Sequence, residues 1–194
     1  MSVIDRRGFV FATTAGGLGL VALGPTAPEA LSATDEELAY ANFGIAAEFL
    51  LQDFYAKVTD AKLFGAEAQH NMTAGGRSAS EHAAALRQLL TDAGQTPALV
   101  EDFEFAWPEG TFDSKDATAA AGLGVARTLL GLYLTAATAV SVPSYRVLFT
   151  SMAANLAQQA AALSQTLGGR ITGVSFPAAI DLEAASDALE PLLG

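Results

Sequence analysis

Thr34-Asp-Glu-Glu37-Leu-Ala-Tyr-Ala-Asn42-Phe-Gly-Ile-Ala-Ala-Glu48-Phe-Leu-Leu-Gln-Asp53-Phe-Tyr55 is the stretch on which the fold turns. Thr34 and Glu37 have the spacing of a capping box, in which each side chain serves the other's backbone amide, so a helix starts at about Asp35. It runs to about Lys62 with only Gly44 as a weak point. At about 100° per residue, Asp35, Asn42, Asp53, Lys57 and Asp60 share one stripe. Glu48 lies about 140° from that stripe, among Gly44, Leu51 and Tyr55. A carboxylate is thereby placed on the inward face of an otherwise apolar helix, where it needs a partner.

Outward from this helix the pattern stays helical. The chain loosens from Gly65 to Gly76, and Ser78-Ala-Ser-Glu81 is a second capping-box sequence that predicts a helix from there to about Gly94. Its inward positions are Ala79, His82, Leu86 and Leu90, with Arg77, Glu81 and Gln88 outward. Residues 96–116 hold Pro97, Pro108, Gly110 and the aromatics Phe103, Phe105, Trp107 and Phe112 without helical period, and predict a long connection pinned by rings. Helix 3 is expected over about Asp116 to Val140. Pro143 enforces a break, helix 4 spans about Ser144 to Gly168-Gly169, and a short terminal helix runs from about Ala178 to Leu189. The expected class is all-α: a four-helix bundle with a long connection between helices 2 and 3 and a short C-terminal helix.

The chain has 194 residues, 51% of them hydrophobic, which is enough for one substantial core. Its formal net charge of −11 opposes nucleic acid and anionic membrane as partners, since both require clustered Lys and Arg. With no cysteine there is no disulfide, thiolate metal site or cysteine nucleophile. The glycines form no phosphate-binding fingerprint, and no serine has a nucleophile-elbow context. Helices 3 and 4 carry no charge between Arg127 and Arg146 or between Arg146 and Arg170. Their recurrent Thr, Ser, Asn and Gln argue for central helices of a bundle, or helices covered by a second subunit, over membrane spans.

Met1-Ser-Val-Ile-Asp-Arg-Arg-Gly-Phe-Val10 precedes an apolar run rich in Gly, Ala and Thr. It resembles a twin-arginine export signal, with Arg6, Arg7 and Phe9 at the matching positions. The organisation expected is a signal over residues 1–33 and one domain over 34–194. Export to the periplasm, cell envelope or exterior follows, with membrane contact confined to the signal.

The helix-1 stretch Asn42 to Tyr55, Glu81-His82-Ala-Ala-Ala-Leu86 and the segment from Pro97 to Phe105 together resemble the ferritin-like family that includes desiccation-related and exported bacterial proteins. That resemblance implies a bundle able to hold a di-iron centre, with Glu48 and His82 at family ligand positions. A complete centre takes a Glu from each of two helices and Glu-x-x-His from each of the other two. Here the position three before His82 is Ala79, helix 4 reads Leu156-Ala-Gln-Gln159 where the family's last bundle helix would carry its Glu-x-x-His, and residues 117–180 contain no Asp, Glu or His. The expectation is therefore a non-catalytic structural, stress-related or interaction protein with no resident cofactor, working as a homo-oligomer or on a protein partner. The alternative is a redox or iron-handling protein with a reduced iron or manganese site at Glu48 and His82; a further one is an apolar-ligand binder between helices 3 and 4. Glu48 and His82 meet only if helix 2 begins near Ala66 and accommodates Gly75-Gly76, because a start at Ser78 leaves them at different heights. Glu67-Ala-Gln-His70 has ligand spacing but is expected to be a solvated turn.

Overall fold

A computed structural model describes residues 33–170 and 175–193. The expected signal, with Arg6, Arg7 and Phe9, lies outside the described residues. Among those residues there are five α-helices and no strand: α1 (Asp35–Ala61), α2 (Ala66–Asp92), α3 (Lys115–Ala139), α4 (Pro143–Thr166) and α5 (Leu182–Leu189).

The capping box of α1 forms as read. Thr34 N donates to Glu37 Oε2 at 2.7 Å, and Glu37 N donates to Thr34 Oγ1 at 3.2 Å. Lys62, at φ 52° in the left-handed region, ends α1 and turns the chain back within four residues, so α1 and α2 form an antiparallel hairpin. Ser114 caps α3 by accepting from Ala117 N. Pro143, which lacks an N–H that a first helical turn would leave unused, opens α4 and makes the second hairpin. Contact is most extensive within each hairpin, and the two meet mainly where α1 lies against α3.

The second helix corrects the expectation. It starts at Ala66, and Ser78 to Glu81 lie in its interior without acting as a cap. Gly75 and Gly76 stay helical because the Tyr55 ring of α1 covers them: a Cβ at Gly75 would come within 2.5 Å of Tyr55 Cζ. The missing side chains are what let the ring approach, and its burial offsets the roughly 0.5–1 kcal/mol by which a mid-helix glycine is disfavoured. Glu67 and His70 are accordingly exposed residues of the first turns of α2 and not part of a turn between elements.

The connection from Ala93 to Ser114 crosses the bundle with one 3-10 turn at Val100–Asp102. Its aromatics fasten it as expected. Phe103 packs on Phe49 at 6.1 Å, and Trp107 and Phe112 pack on Phe54 at 5.5 and 6.0 Å. Trp107 Nε1 also donates to Asp53 Oδ2 at 2.7 Å, so Asp53 is half-buried under the indole while its other oxygen pairs with Lys57 of the same stripe at 3.0 Å. The terminal helix is shorter than expected. Residues 178–181 run extended across α3, with Ile180 N on Gly131 O and Thr135 Oγ1 on Ile180 O, and Asp181 caps a helix that starts only at Leu182.

Of the described helices, α3 alone is long and apolar enough to cross a membrane, and most of its apolar window is buried inside the bundle. Leu129, Leu132, Tyr133 and Ala136 are fully buried, together with Ile45, Leu50 and Phe54 of α1 and Phe149 and Leu156 of α4. Each large side chain among them contributes about 1.5–3 kcal/mol by leaving water.

Candidate functional site

Glu48 sits in the middle of α1 at 0% exposure, the one carboxylate among the described residues to be fully buried. The early start of α2 brings His82 to its height, and Nδ1 lies 3.1 Å from Glu48 Oε1. From α3 the Tyr133 hydroxyl donates to the same oxygen at 2.8 Å. With the carboxylate as acceptor, the network assigns the imidazole proton to Nδ1. Glu48 Oε2 is buried and has no hydrogen-bond partner. Three helices thus converge on one carboxylate oxygen and leave the other bare.

The electrostatics follow from that asymmetry. Burial pushes the Glu48 carboxyl above the usual carboxylate range, and the contacts to His82 and Tyr133 offset only part of the shift. The Tyr133 hydroxyl is pushed up by burial, by the nearby Glu48 charge and by its hydrogen bond to Glu48, so it stays a proton donor at any ordinary pH. His82 is 13% exposed in its side chain and is the member of the cluster with a path to solvent.

One and two turns along α1 the neighbouring positions are specialised. Gly44 leaves room for the Tyr133 hydroxyl, which would stand 3.1 Å from a Cβ there. Tyr55 donates its hydroxyl proton to Gln159 Oε1 at 2.7 Å, and Gln159 Nε2 donates to Asn155 Oδ1 at 2.6 Å. Burial and the Glu48 charge both push the Tyr55 hydroxyl up. The fourth helix, α4, therefore faces α1 with amides and a fully buried Leu156, and Ala79, three before His82, is fully buried and apolar. The space between α3 and α4, considered above as an apolar-ligand site, holds the Tyr133 ring packed on Phe149 at 5.7 Å.

The structure brings Glu48 and His82 together and leaves Glu67 and His70 on the surface, away from them. Tyr133 was missed from the sequence. Its signal was there: it is the only hydroxylated aromatic of α3, four residues from Leu129 and three from Ala136 on the buried stripe, where a phenol needs an acceptor. Among the described residues no group of three or more His, Cys, Asp or Glu side chains is arranged to hold a metal ion. The Glu48 cluster offers one carboxylate, one imidazole and one phenol. Such a set binds and orients a proton.

No curated protein matches the chain. The model of the ferritin-like domain matches residues 36–169, which spans all four long helices and the Glu48 cluster between them. By that match, and by a bundle whose first helix carries an inward glutamate facing a histidine of the second, the chain belongs to the ferritin-like domain family.

Proposed function

We propose that this is an exported ferritin-like protein that lacks a complete di-iron site and acts as a structural, stress-related or interaction protein, without catalysis of its own. The observation that carries the reading is the occupation of Glu48 Oε1 by the Tyr133 hydroxyl and His82. A di-iron centre draws carboxylates from all four helices and imidazoles from two. In this chain α3 and α4 contain no Asp, Glu or His beyond Asp116 in the first turn of α3, and Ala79 stands where α2 would give its carboxylate, so the donor set does not fit the centre. Export rests on Arg6 and Arg7 ahead of the apolar run, which suits the periplasm, the envelope or the exterior, and the desiccation-related branch of the family is the resemblance that suggests a stress role. Homo-oligomerisation rests on α3 and α4, whose only charges are Lys115, Asp116, Arg127 and Arg146, in a chain of net charge −11. Two such faces meet without juxtaposing carboxylates.

A second reading is favoured by one atom. Glu48 Oε2 is buried and unpartnered, an arrangement that costs about 1–3 kcal/mol unless something completes it. A single iron or manganese ion held by Glu48 and His82 would complete it. Elemental analysis of protein purified from its native export route, without chelator or histidine tag, separates the two. Metal far below one ion per chain is expected. A stoichiometric ion that disappears in Glu48→Ala would overturn the first reading, and light scattering behind size exclusion that gave a monomer at high concentration would remove the oligomer.

A further inference from the structure

A second unsatisfied group lies outside the core. Arg87 of α2 has its Nε buried without a hydrogen-bond partner, and its guanidinium makes no hydrogen bond or ion pair among the described residues. It lines a groove of about 270 Å³ between α1, α2 and the start of the crossing segment. Phe49 and Ala83 form the floor, and Leu99 and Val100 form the far lip with 40% and 49% of their surfaces exposed. That lip is fixed in place: Leu99 N donates to Asp102 Oδ2 at 2.8 Å, and Asp102 N returns to Leu99 O at 3.1 Å. Phe49 is further pinned from below by Phe103. The groove is thus a pre-formed cleft with an apolar wall and one half-buried arginine whose Nε is buried and unpartnered.

We infer that this groove binds a small amphiphilic carboxylate, with the carboxylate on Arg87 and the tail against Phe49, Ala83, Leu99 and Val100. The side-on edge of a guanidinium, Nε–H and one Nη–H, matches the two oxygens of a carboxylate, and here the Nε–H is the donor left without an acceptor. A multivalent anion fits less well. The groove holds a single arginine, Glu101 stands on its rim, and the net charge of −11 repels anions at long range. A monoanion whose tail buries apolar surface draws on both features of the groove. Its volume suits a short fatty or aryl acid and lies below the size of sites for larger ligands.

The site is independent of any metal at Glu48, and the test uses the full chain with sodium octanoate as probe. In isotope-labelled protein, octanoate is expected to shift the amide resonances of Ala83, Ala84, Leu99, Val100 and Glu101 saturably. Octan-1-ol should bind more weakly than octanoate. Arg87→Gln should weaken octanoate about tenfold or more and bring acid and alcohol to similar affinity. If Arg87→Gln proves unfolded, Val100→Glu, which sets a charge on an exposed lip residue, should abolish octanoate binding in a folded protein. Absence of saturable shifts at millimolar octanoate, or equal affinity in the folded variants, would overturn the inference.

Discussion

The two hairpins of the bundle follow different electrical rules. The first, α1 and α2, carries acidic and basic residues along both solvent faces and sends Glu48 and His82 inward. The second, α3 and α4, has no carboxylate beyond Asp116 and presents hydroxyl and amide groups to the first: Tyr133 to Glu48, and Gln159 to Tyr55. A buried charge on one side is answered by neutral donors on the other. Neutral donors satisfy an oxygen one at a time, and the bundle supplies them for Oε1 alone, so Oε2 stays bare and burial, only partly offset by His82 and Tyr133, keeps the carboxyl raised.

The largest effect is expected where the hairpins are wedged together. Phe54 of α1 is fully buried, touches Tyr55, Trp107 and Phe112, and lies so close to Gly122 of α3 that a Cβ there would come within 2.3 Å of its ring. Phe54→Ala should lower stability by about 3–5 kcal/mol in urea unfolding. A loss under 1 kcal/mol would mean that the hairpins are joined elsewhere. Next is the bond that spans them. Tyr133→Phe should cost about 1–3 kcal/mol, since it removes one of the two contacts of a buried carboxylate. In a Glu48→Gln background the same change should cost less, and a double-mutant cycle without coupling would sever the two halves of the site.

Within the first hairpin the expected effect is smaller and changes sign. Gly75→Ala sets a Cβ into the Tyr55 ring and should destabilise by about 1–2 kcal/mol net, overpacking outweighing the gain in helix propensity. In Tyr55→Ala protein the ring is gone, and Gly75→Ala should then stabilise by up to about 1 kcal/mol. Thermal unfolding of the four proteins decides it. If Gly75→Ala stabilises in both backgrounds, the ring is not what the glycine accommodates.

How much of this was legible follows the same division. The capping box, the inward turn of Glu48 and the apolar period of α1 are local properties, and reading them gave the bundle. The start of α2 was not local. Gly75-Gly76 reads as a break until Tyr55 is known to lie across it, and a capping-box tetrapeptide at Ser78 competes with a helix already begun at Ala66. Tyr133 was hidden for a related reason. In a long apolar run a tyrosine counts as core, and only its distance from Glu48, 85 residues away in sequence, reveals what its hydroxyl is for. The shortening of α5 likewise depends on Gly131 and Thr135 capturing the backbone of Ile180.

The smallest expected effect concerns the other buried acid, and its direction is opposite to that of Glu48. Glu37 closes the capping box through Oε2 and accepts from Ser141 N, in the turn between α3 and α4, through Oε1, so both oxygens are served. Burial raises its carboxyl, but the hydrogen bonds from Thr34 and Ser141 together outweigh burial and hold it below the ordinary value of 4.5. A group lowered in the folded state contributes stability that is fully present above 4.5 and is lost as pH falls through its folded value. Glu37→Gln replaces one acceptor by a donor facing a backbone N–H. It should therefore be less stable than the parent at neutral pH, by a margin that shrinks steadily below pH 4.5. Tyr145, which burial and then the Asp92 and Glu37 charges push up, stays neutral across that range and does not blur the reading. A margin that stayed constant from neutral pH to well below 4.5 would show that the Ser141 contact carries no charge-dependent stability, and would leave the bond between Glu48 and Tyr133 as the tie between the hairpins, among the described residues, that involves an ionisable acid.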